Sequence, residues 1–235
     1  MMTTRPEVGT SHERHGLQSA RPLSFAACYA YSPDSGSPAA QHSRLLCSRL
    51  KAGRSGWLQV FVARLCEQVH CSEALAGIFA PEVLLVPIPG STAEPCSAPW
   101  IACRLACEIQ RRGLAAGVWP ALSRCRTLPR SAACYQWQRP TVIEHWRTLL
   151  CKSAWAPEFA GRSTVELRVV LIDDVVTKGR TLLAAAMRLH ESFPQASIQA
   201  FALFRTMSFV SDFSRVLLPC RGEIRWNGRD AERRP

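Results

Sequence analysis

The stretch from Glu166 to Leu183 reads ELRVVLIDDVVTKGRTLL, and its reading decides the fold. Val169 to Ile172 form a short apolar, mostly β-branched run, the pattern of a strand buried on both faces. The run ends in two carboxylates, Asp173 and Asp174. A turn of small and hydroxyl residues follows, with Gly179 where a backbone must bend or approach a ligand. Leu182, Leu183, Ala186 and Leu189 then recur on one face of a helix. Strand, acidic end, glycine turn and helix together predict a ligand site at the C-terminal end of a parallel strand.

The parts of this stretch define a chemistry. Backbone N–H groups from Thr177 to Thr181, with the N-terminus of the following helix, make a nest suited to a phosphate. The hydroxyls of Thr177 and Thr181 donate to the same oxygens. Ionised Asp173 and Asp174 only accept, so they suit vicinal sugar hydroxyls or an ion bridging them. A phosphate on one side and a diol on the other describe a 5-phosphoribosyl group.

Val169 to Leu182 resembles the phosphoribosyl pyrophosphate signature of the type I phosphoribosyltransferases. The resemblance implies that Asp173 and Asp174 are catalytic and hold the ribose hydroxyls. It implies that Val176, Thr177, Lys178, Gly179, Arg180 and Thr181 wrap the 5′-phosphate. It also implies Mg²⁺, held by the two aspartates indirectly, through ribose hydroxyls or water. Lys178 and Arg180 stand where the family usually has a hydroxyl and a small residue; both are basic. Upstream, Val83 to Val86 is a second buried-strand run ending in Pro87-Ile88-Pro89-Gly90-Ser91. This is similar to the family's pyrophosphate-receiving loop, which would lay Pro89, Gly90 and Ser91 against the diphosphate.

Ser123 to Thr164 shows little regular patterning and is rich in arginine and aromatics. The resemblance makes it a mobile loop that closes over the reacting centre, with Arg126 on the diphosphate. Tyr135 and Trp137 are read as scaffold packing before base stacking, and His145 as a weak candidate proton donor. Arg124-Cys125-Arg126-Thr127 and Gln138-Arg139-Pro140-Thr141 look like the competence protein F-like branch. The paired Cys-x-x-Cys knuckles that members of that branch carry at their N-terminus are absent from this sequence.

The fold expected is therefore α/β: a type I phosphoribosyltransferase-like, mainly parallel central sheet flanked by helices, with an N-terminal helical extension. Residues 1–21 read as a polar disordered leader. Residues 22–80 read as helical, with Ser55 capping a helix that carries Leu58, Phe61, Val62, Leu65 and Val69. Residues 81–218 read as the phosphoribosyltransferase-like domain, and 219–235 as a basic tail.

Composition bounds the rest. The 235 residues are 47% hydrophobic and 20% charged, which is globular. The balance of 29 Lys+Arg against 18 Asp+Glu, formally +11, asks for an anionic partner. Eleven cysteines include no Cys-x-x-Cys pair. Several sit in apolar runs and are expected to be buried, Cys103 and Cys107 among them in preference to a zinc site. An odd count with no signal peptide points to a reducing cytoplasm, and no apolar stretch reaches membrane-spanning length.

The function expected is Mg²⁺-dependent binding of phosphoribosyl pyrophosphate and transfer of the phosphoribosyl group to a nitrogen nucleophile, a base or an amine, releasing pyrophosphate. Two rivals stay open: a catalytically silent phosphoribosyl pyrophosphate or nucleotide sensor, and a competence-type accessory protein for single-stranded DNA. A homodimer also stays open.

Overall fold

The computed structural model describes residues 20–53, 56–93, 99–129, 139–152, 167–208, 210 and 212–234. The expected strand of the opening stretch is β6 (Arg168–Val176), which runs on through both aspartates. Val169, Leu171 and the pair Val170 and Ile172 are buried in two different apolar clusters, one on each face. Full burial of such a side chain contributes about 1.5–3 kcal/mol, so this strand is an anchor of the fold.

Around it stand β1 (Leu23–Tyr31), β2 (Ala80–Pro87), β3 (Ala115–Val118), β7 (Ser197–Thr206), β8 (Leu217–Trp226) and β9 (Ala231–Arg234). The order is β3-β2-β6-β7-β1-β8-β9. From β3 to β1 the neighbours run parallel, and β8 and β9 add an antiparallel edge. Helices α1 (Pro38–Lys51), α2 (Trp57–Cys71) and α3 (Ile101–Arg111) cover one face. Helix α5 (Arg180–Ser192) covers the other, with α4 (Val142–Thr148) and a small ribbon of β4 (Leu122–Arg124) and β5 (Leu149–Cys151). The protein is thus α/β, with a mostly parallel seven-stranded sheet flanked by helices. No described helix is long and apolar enough to cross a membrane.

Three expectations need correction. Residues 22–80 are not purely helical: α1 and α2 form, but Leu23–Tyr31 is a strand between β7 and β8. Its Ala-rich, two-face-buried sequence carries no alternation, and periodicity cannot separate such a run from a buried helix. The basic tail expected over 219–235 is, as far as residue 234, part of the sheet. Glu223 pairs with Arg234 and Trp226 with Ala231 in the β8–β9 hairpin. Its turn is Asn227-Gly228, with Gly228 at φ +88° and the Asn227 side chain accepting from the N–H groups of Arg229 and Asp230. Finally, the segment from Ser123 onward is not patternless. It carries β4, α4 and β5, and α4 opens on a capping box in which Thr141 and Glu144 satisfy each other's backbone N–H.

Smaller differences follow the same physics. Helix α2 is entered through Gly56, whose N–H donates to Gln59 Oε1 at 2.7 Å; Ser55 lies outside the described residues, as do residues 1–19, Tyr135 and Trp137. Cys28 and Cys47 are buried as expected, but Cys107 is exposed and Cys103 only partly covered, so that pair is not core.

Candidate ligand site at the end of β6

Helix α5 begins directly after Gly179, which sits at φ +82° in the left-handed region. A Cβ there would lie 2.5 Å from Ile224 Cδ1 and 2.9 Å from its Cγ2. Conformation and space both demand glycine. The turn so formed borders a cavity of about 180 Å³. Asp173, Val176, Thr177, Lys178, Gly179, Arg180 and Thr181 line it, as do Arg139 and His145 from α4 and the chain before it. The expected nest and one of the two acids therefore share a single cavity.

The two acids divide. Neighbouring residues of a strand point to opposite faces. Asp173 lines the cavity and Asp174 is not in its lining, although the two carboxyls interact. Burial and then the neighbouring Asp174 push the Asp173 carboxyl well above the usual carboxylate range.

The pyrophosphate-loop candidates lie beside the cavity rather than in its lining. Pro87 and Ile172 are partners in the parallel pair β2–β6, and Ile88 N–H continues the ladder to Ile172 at 2.9 Å. The carbonyls of Ile88, Gly90 and Ser91 turn inward: they accept from Trp100 Nε1, from Arg124 Nε at 2.6 Å and from Leu128 N–H at 2.8 Å. Carbonyls so occupied leave this turn's N–H groups as what it can offer an anion.

Arg126, the arginine chosen from sequence, is exposed. Arg124 is the buried one. Besides Gly90, it donates to Thr148 Oγ1 at 2.7 Å and to His145 Nδ1 at 3.3 Å. A guanidinium only donates, so Nδ1 accepts and the proton of His145 sits on Nε2. Nε2 lies 3.4 Å from Thr181 Oγ1. Thr181 then accepts from the imidazole, and its own hydroxyl proton is free to point at a ligand. One chain of polar contacts thus couples the loop after β2 to the turn after β6.

His145 is consequently held as the neutral imidazole at neutral pH. Burial, with Arg124 and Arg180 beside it, pulls its pKa down to about 3. The unfolded chain takes up that proton near the ordinary value of about 6.5 while the folded protein refuses it. Stability from this residue is whole above that pH and lost as pH falls from about 6.5 towards 3, with a limiting slope of about 1.4 kcal/mol per pH unit. His145→Gln is expected to flatten this decline in urea unfolding measured between pH 7 and 4. Asp173 titrates in the opposite sense, so the readout is the difference between the two proteins; equal slopes would refute the neutral buried imidazole.

Lys178 and Arg180 line the cavity and share one counter-ion. Asp230, in the β8–β9 turn, accepts from Arg180 Nε at 2.7 Å, from its second terminal nitrogen, and from Lys178 Nζ at 3.2 Å. Burial alone would raise the Asp230 pKa, but the two cations outweigh it and hold the carboxyl below the usual range. Arg180 spends its remaining terminal nitrogen on the carbonyls of Arg139 and Pro140, at 3.3 and 3.1 Å. Arg233 of β9 donates to the carbonyls of Val176 and Thr206, closing the C-terminal ends of β6 and β7. Thr177 Oγ1 lies 3.2 Å from Thr206 Oγ1. Sequence reasoning missed Asp230, Arg233, Arg124 and Thr148. The Asn227-Gly228 dipeptide, a strong hairpin signal, was the clue to the first two.

Fold and site define an open, mainly parallel α/β protein with an anion-suited cavity at the C-terminal end of its central strand, the usual ligand position in such sheets. No protein-family model matches the chain, and no curated protein matches it.

Proposed function

We propose that the protein binds phosphoribosyl pyrophosphate with Mg²⁺ and transfers the phosphoribosyl group to a nitrogen nucleophile, on a type I phosphoribosyltransferase-like fold. The observation that carries this reading is one cavity lined by both Asp173 and the turn from Thr177 to Thr181, with Gly179 left-handed at the start of α5. The amides of the turn and the Thr177 and Thr181 hydroxyls take the 5′-phosphate, and Asp173 takes the ribose hydroxyls. The loop Pro89–Ser91, adjacent on β2, meets the diphosphate.

Among the described residues no three His, Cys, Asp or Glu side chains gather as a metal cage. The oxygen donors present suit Mg²⁺ carried on substrate phosphates and touched by Asp173 through ribose hydroxyls or water, with Asp174 beside it. When bound, the ion neutralises charge on the departing diphosphate. In the reaction the nitrogen lone pair forms a bond to the anomeric carbon as its bond to the diphosphate oxygen breaks, and pyrophosphate leaves with that electron pair. Positive charge grows on the ribose ring beside Asp173. The protein's part is positioning and a preset field.

Calorimetric titration of Mg²⁺ and phosphoribosyl pyrophosphate into wild type and Asp173→Asn/Asp174→Asn tests the reading. The double variant should stay folded and lose most of the affinity. Pyrophosphate release across a panel of bases and amines should find at least one acceptor; tight binding without release for any would favour the sensor. Salt-dependent binding to single-stranded DNA, with no effect of the ribose ligand, would favour the accessory role.

A further inference from the structure

The cations around the cavity are not equivalent. Arg180 is held by Asp230 and by two backbone carbonyls, and Lys178 by the same Asp230. Arg124 is consumed by Gly90, Thr148 and His145. Arg139 differs: it lines the cavity, and its Nε is buried with no hydrogen-bond partner among the described residues. The Nε groups of Arg188 and Arg205 are buried without a partner too, but of the three arginines only Arg139 lines the cavity, so its unspent guanidinium N–H groups are the ones a ligand there can meet. The backbone of Arg139 is fixed by the one residue most firmly tied in the site. Arg180 grips its carbonyl and that of Pro140 while Asp230 grips Arg180, and both Arg180 and Asp230 side chains are under 20% exposed, at 16% and 18%.

We propose that Arg139 is the cation that receives the phosphate monoester end of the ligand, and that Asp230 positions it through Arg180. This rests on the phosphoribosyl reading of the cavity and sharpens it. Arg180, inside the glycine turn, acts as structure, while the guanidinium that meets the anion comes from the chain leading into α4. A planar guanidinium presents paired N–H groups to phosphate oxygens, and the turn that offers its amides borders the same cavity.

The test uses the full chain with ribose 5-phosphate and with inorganic phosphate as calorimetric probes. Arg139→Ala should weaken ribose 5-phosphate about 10- to 100-fold, the usual worth of a charge-assisted hydrogen bond. Arg139→Lys should recover part of that loss, and the melting temperature of both should stay near wild type, since the Nε has no protein partner to lose. Asp230→Asn should weaken binding several-fold alone and add nothing further in the Arg139→Ala background, a non-additivity that a purely structural role would not produce. Wild-type binding matched by Arg139→Ala overturns this inference while leaving the phosphoribosyl reading intact. Additive losses, or tighter binding in Asp230→Asn, overturn the positioning role and make Asp230 a competing anion. No binding of either probe to wild type removes both readings.

Discussion

Asp173→Asn is expected to melt a few degrees above the wild type at pH 7 and to bind phosphoribosyl pyrophosphate about 100-fold more weakly. The two effects have one cause. Asp173 lies half-buried at the mouth of the sheet with Asp174 next in sequence, and its desolvation and that neighbour together favour its protonated form in the folded state. A carboxyl whose folded pKa is raised contributes stability that is whole below its unfolded pKa, about 3.9, and is lost as pH climbs through the folded value. At neutral pH the folded protein carries that penalty. Asparagine keeps the shape and removes it, so the difference in melting temperature should be near zero at pH 3.5 and grow with rising pH. Each kcal/mol recovered is worth about 2–4 °C in a chain of this size. Losing an ionised acceptor for two ribose hydroxyls costs about 1.5–3 kcal/mol for each bond lost, which gives the affinity drop. Wild-type affinity should also improve as pH rises through the Asp173 titration, and that of the variant should not. Calorimetry and thermal melts over the same pH series check both halves. A variant less stable than wild type at every pH would show that Asp173 is a paired structural acid and not a strained ligand group.

Much of the fold could be read from one stretch because its patterns are long. Nine residues of β6 and thirteen of α5 give periodicity enough span to work, and the apolar faces of α1, α2 and α3 do the same. Where the elements shorten, the signal goes. Strands β4 and β5 are three residues each and α4 is seven, too short for a period to repeat, although the Thr141-x-x-Glu144 box marked the start of α4. Strand β1 failed for a different reason: it is buried on both faces and rich in alanine, so neither alternation nor β-branching marks it. The candidate site was legible where its function is carried by backbone and by residues adjacent in sequence. The turn from Thr177 to Thr181, which lines the cavity, was legible because its residues are adjacent in sequence. Asp230 and Arg233 were not, because they reach the site through a hairpin that returns from the far edge of the sheet, fifty residues or more from Arg180 and Val176. Arg124 and Arg126 differ in sequence position by two, and nothing in the sequence says which of them is buried against the loop after β2.

The other large effect expected is on Gly179, and it separates backbone from packing. Gly179→Ala should destabilise by about 2–5 kcal/mol: roughly 1–2 for a Cβ in the left-handed region and about 1–3 for overpacking. The second part comes from one side chain, because the three nearest atoms to that Cβ all belong to Ile224. Ile224 is fully buried in β8, so Ile224→Ala alone costs about 2–5 kcal/mol. In the Ile224→Ala background the clash is gone, and Gly179→Ala should then cost only its conformational share, leaving a coupling of about 1–3 kcal/mol in a urea-unfolding cycle. The consequence reaches the ligand, since the turn's amides are aimed by this one φ angle and the wall behind it is supplied by the C-terminal hairpin. Relieving the clash should restore packing without restoring the turn, so the double variant should still bind ribose 5-phosphate poorly. Independent, additive costs would mean that the hairpin does not press on the glycine turn. Full recovery of binding in the double variant would mean that the left-handed backbone is not what shapes the phosphate nest.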